Sequence, residues 1–554
     1  MKKRGATKTL SMMIVLLIIL QLTSNCLAEV NPTPITPNEP FLAAAVQFNP
    51  QLNERDKNID ELVKVVTEAA QKGAKLIVTP ELSTTGYYYK DRDAIKPFVD
   101  TIPGITTSRF EEIAKKYDTY IVIGMAEVDP ETDIYYNSAA LVGPEGYIGK
   151  YRKTHQWELE EHWAAWGDLG VPVFDTKIGK IGINICMDAA YFESARLAAL
   201  NDADILAFPT NSSAQAIWAL QARAMQNGLY IVSANRSNTE LDFHMVGASA
   251  IWSPSGEKLA EAPLVPTPAD DMDEPYIVYA EIDPKQYDNP AKQRLKERRP
   301  ELYQELMLYI APWDYTINTT SHDVTAALLQ YEPVIGDKEA NLSKVKQLLA
   351  NTKNSQKPVD IVVLPELSLT GPVYDDASLA KKLAEDMDGE TVKAFKDLAI
   401  SHNTYIVFGM IEKENDKLYN TAVIMNRKGE IEGKYRQTHL NFNDLKWATP
   451  GDKIEVFSTE LGKIGLMIGY DAVFPEVAGV LTVKRADIIA MPTRWNGLFD
   501  REIEVNKGMS ANEYPEGSMA LWDSVAMSAQ AYTLIANFVG TKSGYFGRSG
   551  LYVL

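Results

Sequence analysis

The sequence contains few of the residues from which several classes of protein are built. Its 554 residues include two cysteines, Cys26 and Cys186, which are too few for a disulfide framework. It has no glycine-rich phosphate loop and no nucleophile elbow around a serine, and we predict no cofactor. The histidines show no metal-ligand spacing, so we predict no metal site; they are His155, His162, His244, His322, His402 and His439.

Positive charge is also scarce. The chain has 55 lysines and arginines against 74 aspartates and glutamates, a formal charge of −19 at neutral pH. Because binding to phosphate backbones needs a basic surface, we predict no nucleic-acid partner. A hydrophobic content of 45% with 23% charged residues is typical of a globular protein. The length favours two large domains or three smaller ones.

No apolar run is long enough for a comfortable membrane span. The run at residues 12–20 follows a basic start and precedes the small residue Ala28, which predicts a signal peptide over residues 1–28. The alternatives are an uncleaved anchor and lipid modification of Cys26. Asn25 stands where lipid modification prefers a small residue, which favours ordinary cleavage. We therefore predict export, to the cell envelope or outside the cell, with no membrane span after cleavage.

Removal of the signal peptide leaves Cys186 as the one thiol of the mature chain. An unpaired, oxidisable thiol in an oxidising compartment favours a functional role. Cys186 also stands where a predicted buried strand ends and a helix begins near Phe192, which is where α/β folds place reactive side chains. The alternative is an ordinary small core residue.

Strand and helix patterns alternate after a proline-rich leader at residues 29–40. Apolar residues recur with a helical period across 58–72, and Gly73 ends that helix. Apolar runs predict strands, among them those at 41–48, 75–78, 180–185, 246–252 and 277–282. This alternation predicts an α/β sandwich of three or four layers.

The pattern then starts again, with matching segments 283 to 285 residues later. Pro80-Glu-Leu-Ser-Thr-Thr-Gly86 returns as Pro365-Glu-Leu-Ser-Leu-Thr-Gly371, and Gly149-Lys-Tyr-Arg-Lys-Thr-His155 returns as Gly433-Lys-Tyr-Arg-Gln-Thr-His439. We predict two copies of one fold: a catalytic domain at 41–305, a linker at 306–322 and a second domain at 323–554. The second copy lacks counterparts of the last strands of the first.

Comparison of the two copies shows which polar residues of the first copy are kept in the second. Glu81 is kept as Glu366, but four other positions change: Cys186 falls on Gly469, Lys153 on Gln437, Glu161 on Leu445 and Arg223 on Val525. A thiol, an ammonium and a carboxylate are thus lost together while the framework persists. This favours the loss of one chemistry as a unit; neutral drift at separate positions is the alternative.

The lost residues suit nucleophilic catalysis. A cysteine thiol is mostly protonated at neutral pH, so its attack on a carbonyl or nitrile carbon needs a neighbouring base, a role open to Glu81. An ammonium such as that of Lys153 stabilises the oxyanion that develops, together with a backbone N–H after the nucleophile, here that of Met187.

These motifs resemble the nitrilase superfamily of carbon–nitrogen hydrolases. The resemblance rests on Pro80 to Tyr87, on Tyr151-Arg-Lys-Thr-His155, and on Cys186-Met-Asp188 through Glu193. It covers residues 41–305 well and 323–554 as a degenerate copy. It implies a four-layer αββα sandwich, present twice, and a catalytic triad of Glu81, Lys153 and Cys186. Glu161 is similar to the second, supporting glutamate of the family.

The resemblance also bears on the substrate. Cys186-Met-Asp188 looks more like the amidase branches than like true nitrilases, so we predict an amidase that acts through a cysteine thioester on a small-molecule amide. Tyr87 and Asn211 are candidates for substrate binding. A nitrile hydrolase, an N-acyltransferase and a non-catalytic binding or scaffold protein are the alternatives. We expect the second domain to be inactive and to dock on the first as a built-in dimer partner.

Overall fold

The computed structural model describes residues 35, 38–307, 323–352, 357–497, 501–503, 518–540 and 544–553, without the side chains at 214–218. The predicted signal peptide, most of the predicted leader and most of the predicted linker lie outside the described residues. Within these ranges, no helix is both long enough and apolar enough to cross a membrane.

The first domain contains fourteen strands in the part of the chain that the structure describes. They are β1 (Phe41–Gln47), β2 (Leu76–Val78), β3 (Tyr120–Val128), β4 (Tyr135–Gly143), β5 (Gly146–Arg152), β6 (Val173–Thr176), β7 (Gly179–Ile183), β8 (Ile205–Pro209), β9 (Tyr230–Ala234), β10 (Thr239–Glu240), β11 (Phe243–His244), β12 (Ala250–Trp252), β13 (Lys258–Glu261) and β14 (Tyr276–Ile282). Its helices are α1 (Arg55–Gln71), α2 (Arg92–Ile95), α3 (Ile105–Tyr117), α4 (Phe192–Leu200), α5 (Ala214–Asn227) and α6 (Pro290–Arg294).

Two six-stranded sheets form the centre of this domain. Their strand orders are β14–β1–β2–β3–β4–β5 and β13–β12–β9–β8–β7–β6. Alternate side chains of one strand point to opposite faces, so Ala43 of β1 packs against the other sheet while Ala44 packs against helices α1 and α3. Helices α4 and α5 cover the outer face of the second sheet. Because both faces of each sheet are covered, the strands read as near-continuous apolar runs.

The second domain repeats this arrangement. Its strands are β15 (Ala326–Leu328), β16 (Ile361–Val363), β17 (Tyr405–Glu414), β18 (Lys417–Met425), β19 (Ile431–Arg436), β20 (Val456–Thr459), β21 (Gly462–Leu466), β22 (Ile488–Pro492), β23 (Tyr532–Ala536), β24 (Val539–Gly540), β25 (Tyr545–Phe546) and β26 (Gly550–Tyr552). Its helices are α7 (Lys338–Thr352), α8 (Ala377–Leu383), α9 (Glu390–His402), α10 (Pro475–Val483) and α11 (Ala520–Ala529).

The sheets of the second domain have five strands each, in the orders β15–β16–β17–β18–β19 and β20–β21–β22–β23–β26. Among the residues described, no strand corresponds to β13 or β14. Helices α7 and α9 cover one sheet, and α10 and α11 pack on the other. The predicted αββα sandwich, present twice in tandem, is therefore confirmed.

One predicted strand is shorter than expected. The apolar pattern at 246–252 predicts a continuous strand, but β12 begins only at Ala250. Gly247 and Ala248 have φ angles of +70° and +53°, a left-handed backbone that no strand accommodates. This turn places Met245 on a loop instead of in the sheet.

The two domains meet through the helices that cover their second sheets. Helix α5 packs against α11. Arg223 and Gln226 of α5 donate hydrogen bonds of 3.2 and 3.1 Å to the Ser524 hydroxyl of α11. Arg196 of α4 forms an ion pair of 3.2 Å with Glu476 of α10. All of these side chains are buried, so the contact is a packed interface.

Candidate active site

Cys186 lies at the start of a tight turn beyond strand β7. The strand ends at Ile183, and a 3₁₀ turn follows over Cys186–Ala189. The φ angle of Cys186 is +44°, a left-handed conformation that costs a residue other than glycine about 1–3 kcal/mol. Asp188 holds the turn, since its carboxylate accepts hydrogen bonds from the Ile185 N–H at 2.8 Å and from the Tyr151 hydroxyl at 2.7 Å. Strained backbone of this kind is concentrated at functional sites.

Glu81 and Lys153 form a buried ion pair in the same domain. Glu81 lies just beyond strand β2, and Lys153 follows strand β5 directly. The Lys153 ammonium donates to Glu81 Oε1 at 2.7 Å and to the two carboxylate oxygens of Glu160 at 2.6 and 2.7 Å. The side-chain amide of Asn137 also donates to Glu81 Oε1, at 2.7 Å. Three charged side chains are thus held together without exposure to water.

The acid that contacts Lys153 is Glu160, not its neighbour Glu161, which the sequence predicts as the supporting glutamate. Glu161 is exposed, because consecutive residues of the 3₁₀ turn Glu160–His162 point in different directions. The internal repeat contains a signal that favours Glu160 over Glu161. Glu160 corresponds to Asp444, which keeps a carboxylate, whereas Glu161 corresponds to Leu445.

The surroundings of Cys186 keep its thiol protonated. Burial, supported by the charge of Glu81 and opposed by that of Lys153, raises the pKa of Cys186 to about 12. The sulfur lies 3.6 Å from the Ser212 hydroxyl and 3.8 Å from the carbonyl oxygen of Asn211. At neutral pH this thiol needs a base before it attacks an electrophile.

One oxygen of the Glu81 carboxylate is available to act as that base. Glu81 Oε1 accepts from Lys153 and Asn137, but Oε2 has no hydrogen-bond partner among the described residues although it is buried. Buried carboxylate oxygens are normally paired, so an unpaired one indicates a functional role. The charge of Glu81 acts on Cys186, which places the two groups in one electrostatic environment.

The charges of Lys153 and Glu160 depend on each other. Burial lowers the pKa of Lys153, but the carboxylates of Glu160 and Glu81 outweigh burial and raise it above its ordinary value. Lys153 is therefore an ammonium at neutral pH. Burial raises the pKa of Glu160 to about 7, against the opposing charge of Lys153. The site thus combines a fixed positive charge with a carboxyl group that titrates near neutrality.

A cavity of about 580 Å³ opens beside Cys186. Met187, Tyr87 and Asn211 line it, and the last two also contact the ion-pair cluster. The Tyr87 hydroxyl donates to Glu160 at 2.9 Å, and the Asn211 side chain donates to the Glu81 carbonyl oxygen at 3.0 Å. The roles of Tyr87 and Asn211 in substrate binding, and of the Met187 N–H in oxyanion binding, stay predictions.

Three tryptophans follow Lys153 in the chain, and they differ in their position relative to this cavity. Trp157 lines it, Trp163 is buried in an apolar cluster behind it, and Trp166 is exposed. Phe243 and Met245, which the sequence did not single out, complete the aromatic and apolar side. Phe243 lies on the two-residue strand β11 and Met245 follows it, in a segment too short for a periodic pattern to mark either residue.

At the corresponding site of the second domain, Gly469 stands in the position of Cys186 and provides no thiol. Gly469 keeps the left-handed backbone of Cys186, with a φ of +27°, and a Cβ atom there would lie 2.7 Å from Glu366 Oε2. Arg494 now supplies the positive charge: it donates to Glu366 at 2.7 Å and also to Asp444. Arg494 occupies the position of Asn211, and the sequence analysis did not identify it, because the comparison of the two copies considered residues lost from the second copy, not residues gained there.

Comparison with known proteins gives consistent matches. A family model described as carbon–nitrogen hydrolase matches residues 42–289 and again 325–552. The chain is 43% identical over 221 residues to a nitrilase of Pyrococcus abyssi, covering 40% of this chain and 84% of the relative. It is 34% identical over 239 residues to a formamidase of Bacillus cereus, covering 41% of this chain and 71% of the relative.

Among solved structures, a carbon–nitrogen hydrolase from Helicobacter pylori superposes with a TM-score of 0.43 and 25% sequence identity. The superposition covers 49% of this chain and 99% of that chain.

Proposed function

The chain belongs to the carbon–nitrogen hydrolase family, and on that premise we propose that it hydrolyses amides through a thioester on Cys186. Enzymes of this family act on carbon–nitrogen bonds other than peptide bonds. The observation that carries the proposal is the unpaired oxygen of Glu81, buried and acting electrostatically on a protonated Cys186.

The first half of the reaction forms the thioester. Glu81 Oε2 takes the proton of the Cys186 thiol as the sulfur attacks the amide carbon. The Lys153 ammonium and the Met187 N–H stabilise the oxyanion of the tetrahedral intermediate. The carbon–nitrogen bond then breaks, and Glu81 returns its proton to the leaving nitrogen, which departs as ammonia or an amine.

The second half regenerates the enzyme. A water molecule takes the place of the amine, and Glu81 accepts its proton while the oxygen attacks the thioester carbon. Collapse of this second intermediate breaks the carbon–sulfur bond, and Glu81 returns the proton to the sulfur. The products are a carboxylic acid and the free thiol of Cys186.

Mass spectrometry of the intact protein during turnover tests this proposal. We expect an acyl adduct on Cys186 with a short amide, and no adduct and at least a 10⁴-fold lower rate for Cys186→Ala. Full activity of Cys186→Ala would exclude the mechanism. Absence of any adduct with every amide and nitrile tried would favour a binding protein.

A nitrile is the second candidate substrate, because the relative with 43% identity is named a nitrilase. Ammonia release from amides and nitriles assayed side by side distinguishes the two. Transfer of the acyl group to an added amine, in place of hydrolysis, would indicate an acyltransferase.

We also propose that the protein is exported. The proposal is supported by the basic start, the apolar run at 12–20 and the small residue Ala28. Sequencing the N-terminus of protein made by its host should find Glu29. A mature chain that begins at Met1 would contradict cleavage.

The second domain, we propose, is inactive and serves as a permanent partner of the first. Gly469 and Gln437 supply neither a thiol nor an ammonium. Contacts of α4 and α5 with α10 and α11 support the proposed docking, among them the ion pair of Arg196 with Glu476 and the hydrogen bond of Arg223 with Ser524.

A further inference from the structure

The cavity beside Cys186 has walls from both domains. On the first-domain side it is lined by aromatic and apolar residues that include Trp157, Phe243 and Met245. The second-domain side is built from helix α10 and from the end of helix α11 with the residue after it; the residues there are Gly479, Thr482, Val483, Met527, Ser528 and Gln530. A chain segment more than 280 residues from Cys186 thus borders the same space as the thiol.

The second-domain wall is held firmly against the first domain. Gly479 of α10 approaches so closely that a Cβ atom there would lie 2.9 Å from both Phe192 and Leu306. Met527 of α11 packs against the apolar cluster of the first domain that contains Ala189 and Phe208. Because packed contacts of this kind are rigid on average, the wall is a fixed part of the site.

The size and lining of the cavity define a class of ligand. Its volume of about 580 Å³ lies within the range of roughly 300–1,000 Å³ that is typical of sites for drug-sized ligands. Formamide, with three heavy atoms, would leave most of this space without a contact. A lining rich in aromatic and aliphatic side chains gains binding free energy from apolar surface removed from water.

We propose that the second domain forms the specificity wall of the active site and selects amides that carry an apolar group of several carbons. This inference rests on the proposed amide hydrolysis at Cys186. The apolar group lies between the aromatic side of the first domain and the α10–α11 wall, with Met527 as the residue that limits its length. The inactive domain thereby takes part in substrate recognition.

A series of primary amides tests the inference, with ammonia release from formamide, butanamide and hexanamide as the readout. For the wild type, kcat/KM should rise along the series by at least tenfold, since each buried methylene group favours binding roughly fourfold. The Met527→Trp substitution places a larger side chain in the part of the cavity next to the second domain. It should lower the ratio of kcat/KM for hexanamide to kcat/KM for formamide at least tenfold.

Met387→Trp is the matched control. Met387 is also a half-buried methionine of the second domain, but it packs in an apolar cluster that contains none of the residues lining the cavity. It should leave the ratio of hexanamide to formamide activity unchanged. Met527→Ala is a second variant that enlarges the space, and it should move the preferred amide to a longer chain.

Three outcomes overturn the inference: a wild type that prefers formamide, a Met527→Trp variant with an unchanged ratio, or a Met387→Trp variant with the same loss. If the wild type releases ammonia from no amide and forms no adduct on Cys186, the proposed function itself fails. The two failures are therefore distinguishable.

Discussion

At the scale of single residues, the adjacent pair Glu160 and Glu161 offers the sharpest test of the site. Glu160 accepts two hydrogen bonds from Lys153, whereas Glu161 is exposed. Loss of a hydrogen bond between charged groups costs about 1.5–3 kcal/mol, or roughly 10- to 100-fold in rate. We expect Glu160→Gln to lower kcat by this factor and Glu161→Gln to change it less than twofold, measured with one amide under saturation.

The pH profile separates a role of the Glu160 charge from simple damage to the fold. The pKa of Glu160 is raised to about 7, so the group is protonated below that pH and ionised above it. Since the ionised form holds Lys153 with both oxygens, kcat/KM should rise as pH increases through about 7. The Glu160→Gln variant has no carboxyl group at this position, so its kcat/KM should not rise through about pH 7. If the same rise is seen in the variant, another group is responsible for the titration.

At the scale of elements, helix α5 connects the turn of the nucleophile to the second domain. Arg223 donates to the carbonyl oxygens of Ala189 and Ala190 at 3.1 and 3.4 Å, and to Ser524 of α11 at 3.2 Å. Burial lowers the pKa of Arg223 to about 10, which still leaves it charged at neutral pH. One side chain thus holds both the end of the Cys186 turn and the partner helix.

Substitution of Arg223 should therefore affect stability and catalysis together. Arg223→Met leaves buried carbonyl groups unpaired, and we expect it to lower the free energy of unfolding by about 2–4 kcal/mol and kcat at least tenfold. Ser524→Ala removes only the contact between domains and should cost about 1 kcal/mol with little change in kcat. Urea unfolding measures the free energy of unfolding, and steady-state kinetics measures kcat. Equal effects of the two variants would contradict a role of Arg223 in holding the turn.

The layers of the sandwich were predictable because strand and helix periods are local properties of the chain. The repeat marked Cys186 and Lys153 as residues lost together, and the structure places Glu81 against Lys153; the catalytic roles of the three residues stay predictions. Glu160 was missed because the phase of a short 3₁₀ turn decides which of two neighbouring acids faces inward. The wall at Met527 was not predictable, since it depends on how two domains pack, and no periodicity in either one encodes that contact.

At the scale of the whole molecule, helices α4 and α5 of the first domain contact helices α10 and α11 of the second. In a fragment of residues 29–320, Arg196 would lose Glu476 and Arg223 would lose Ser524, and both guanidinium groups lie in a buried interface. Removal of the second domain would also expose to water the apolar surface of the first domain that Met527 now contacts, and exposed apolar patches favour association. We expect the fragment to associate with itself or precipitate and to be at least tenfold less active.

Size-exclusion chromatography with light scattering measures the association state of the fragment, and an amide assay measures its activity. Residues 29–554 serve as the control. A fragment that is monomeric, stable and fully active would show that the first domain needs no partner.

The exchange of Lys153 and Cys186 for Arg494 and Gly469 in the second domain has a consequence for evolutionary history. A side chain restored at Gly469 alone would collide with Glu366, 2.7 Å from its Cβ atom. A lysine restored at Gln437 alone would add a second buried cation beside Arg494, and removal of Arg494 alone would leave two buried carboxylates without a cation. Each of these single substitutions conflicts with the present packing or charge balance of the second domain, so restoring a cysteine and a lysine there requires several changes together.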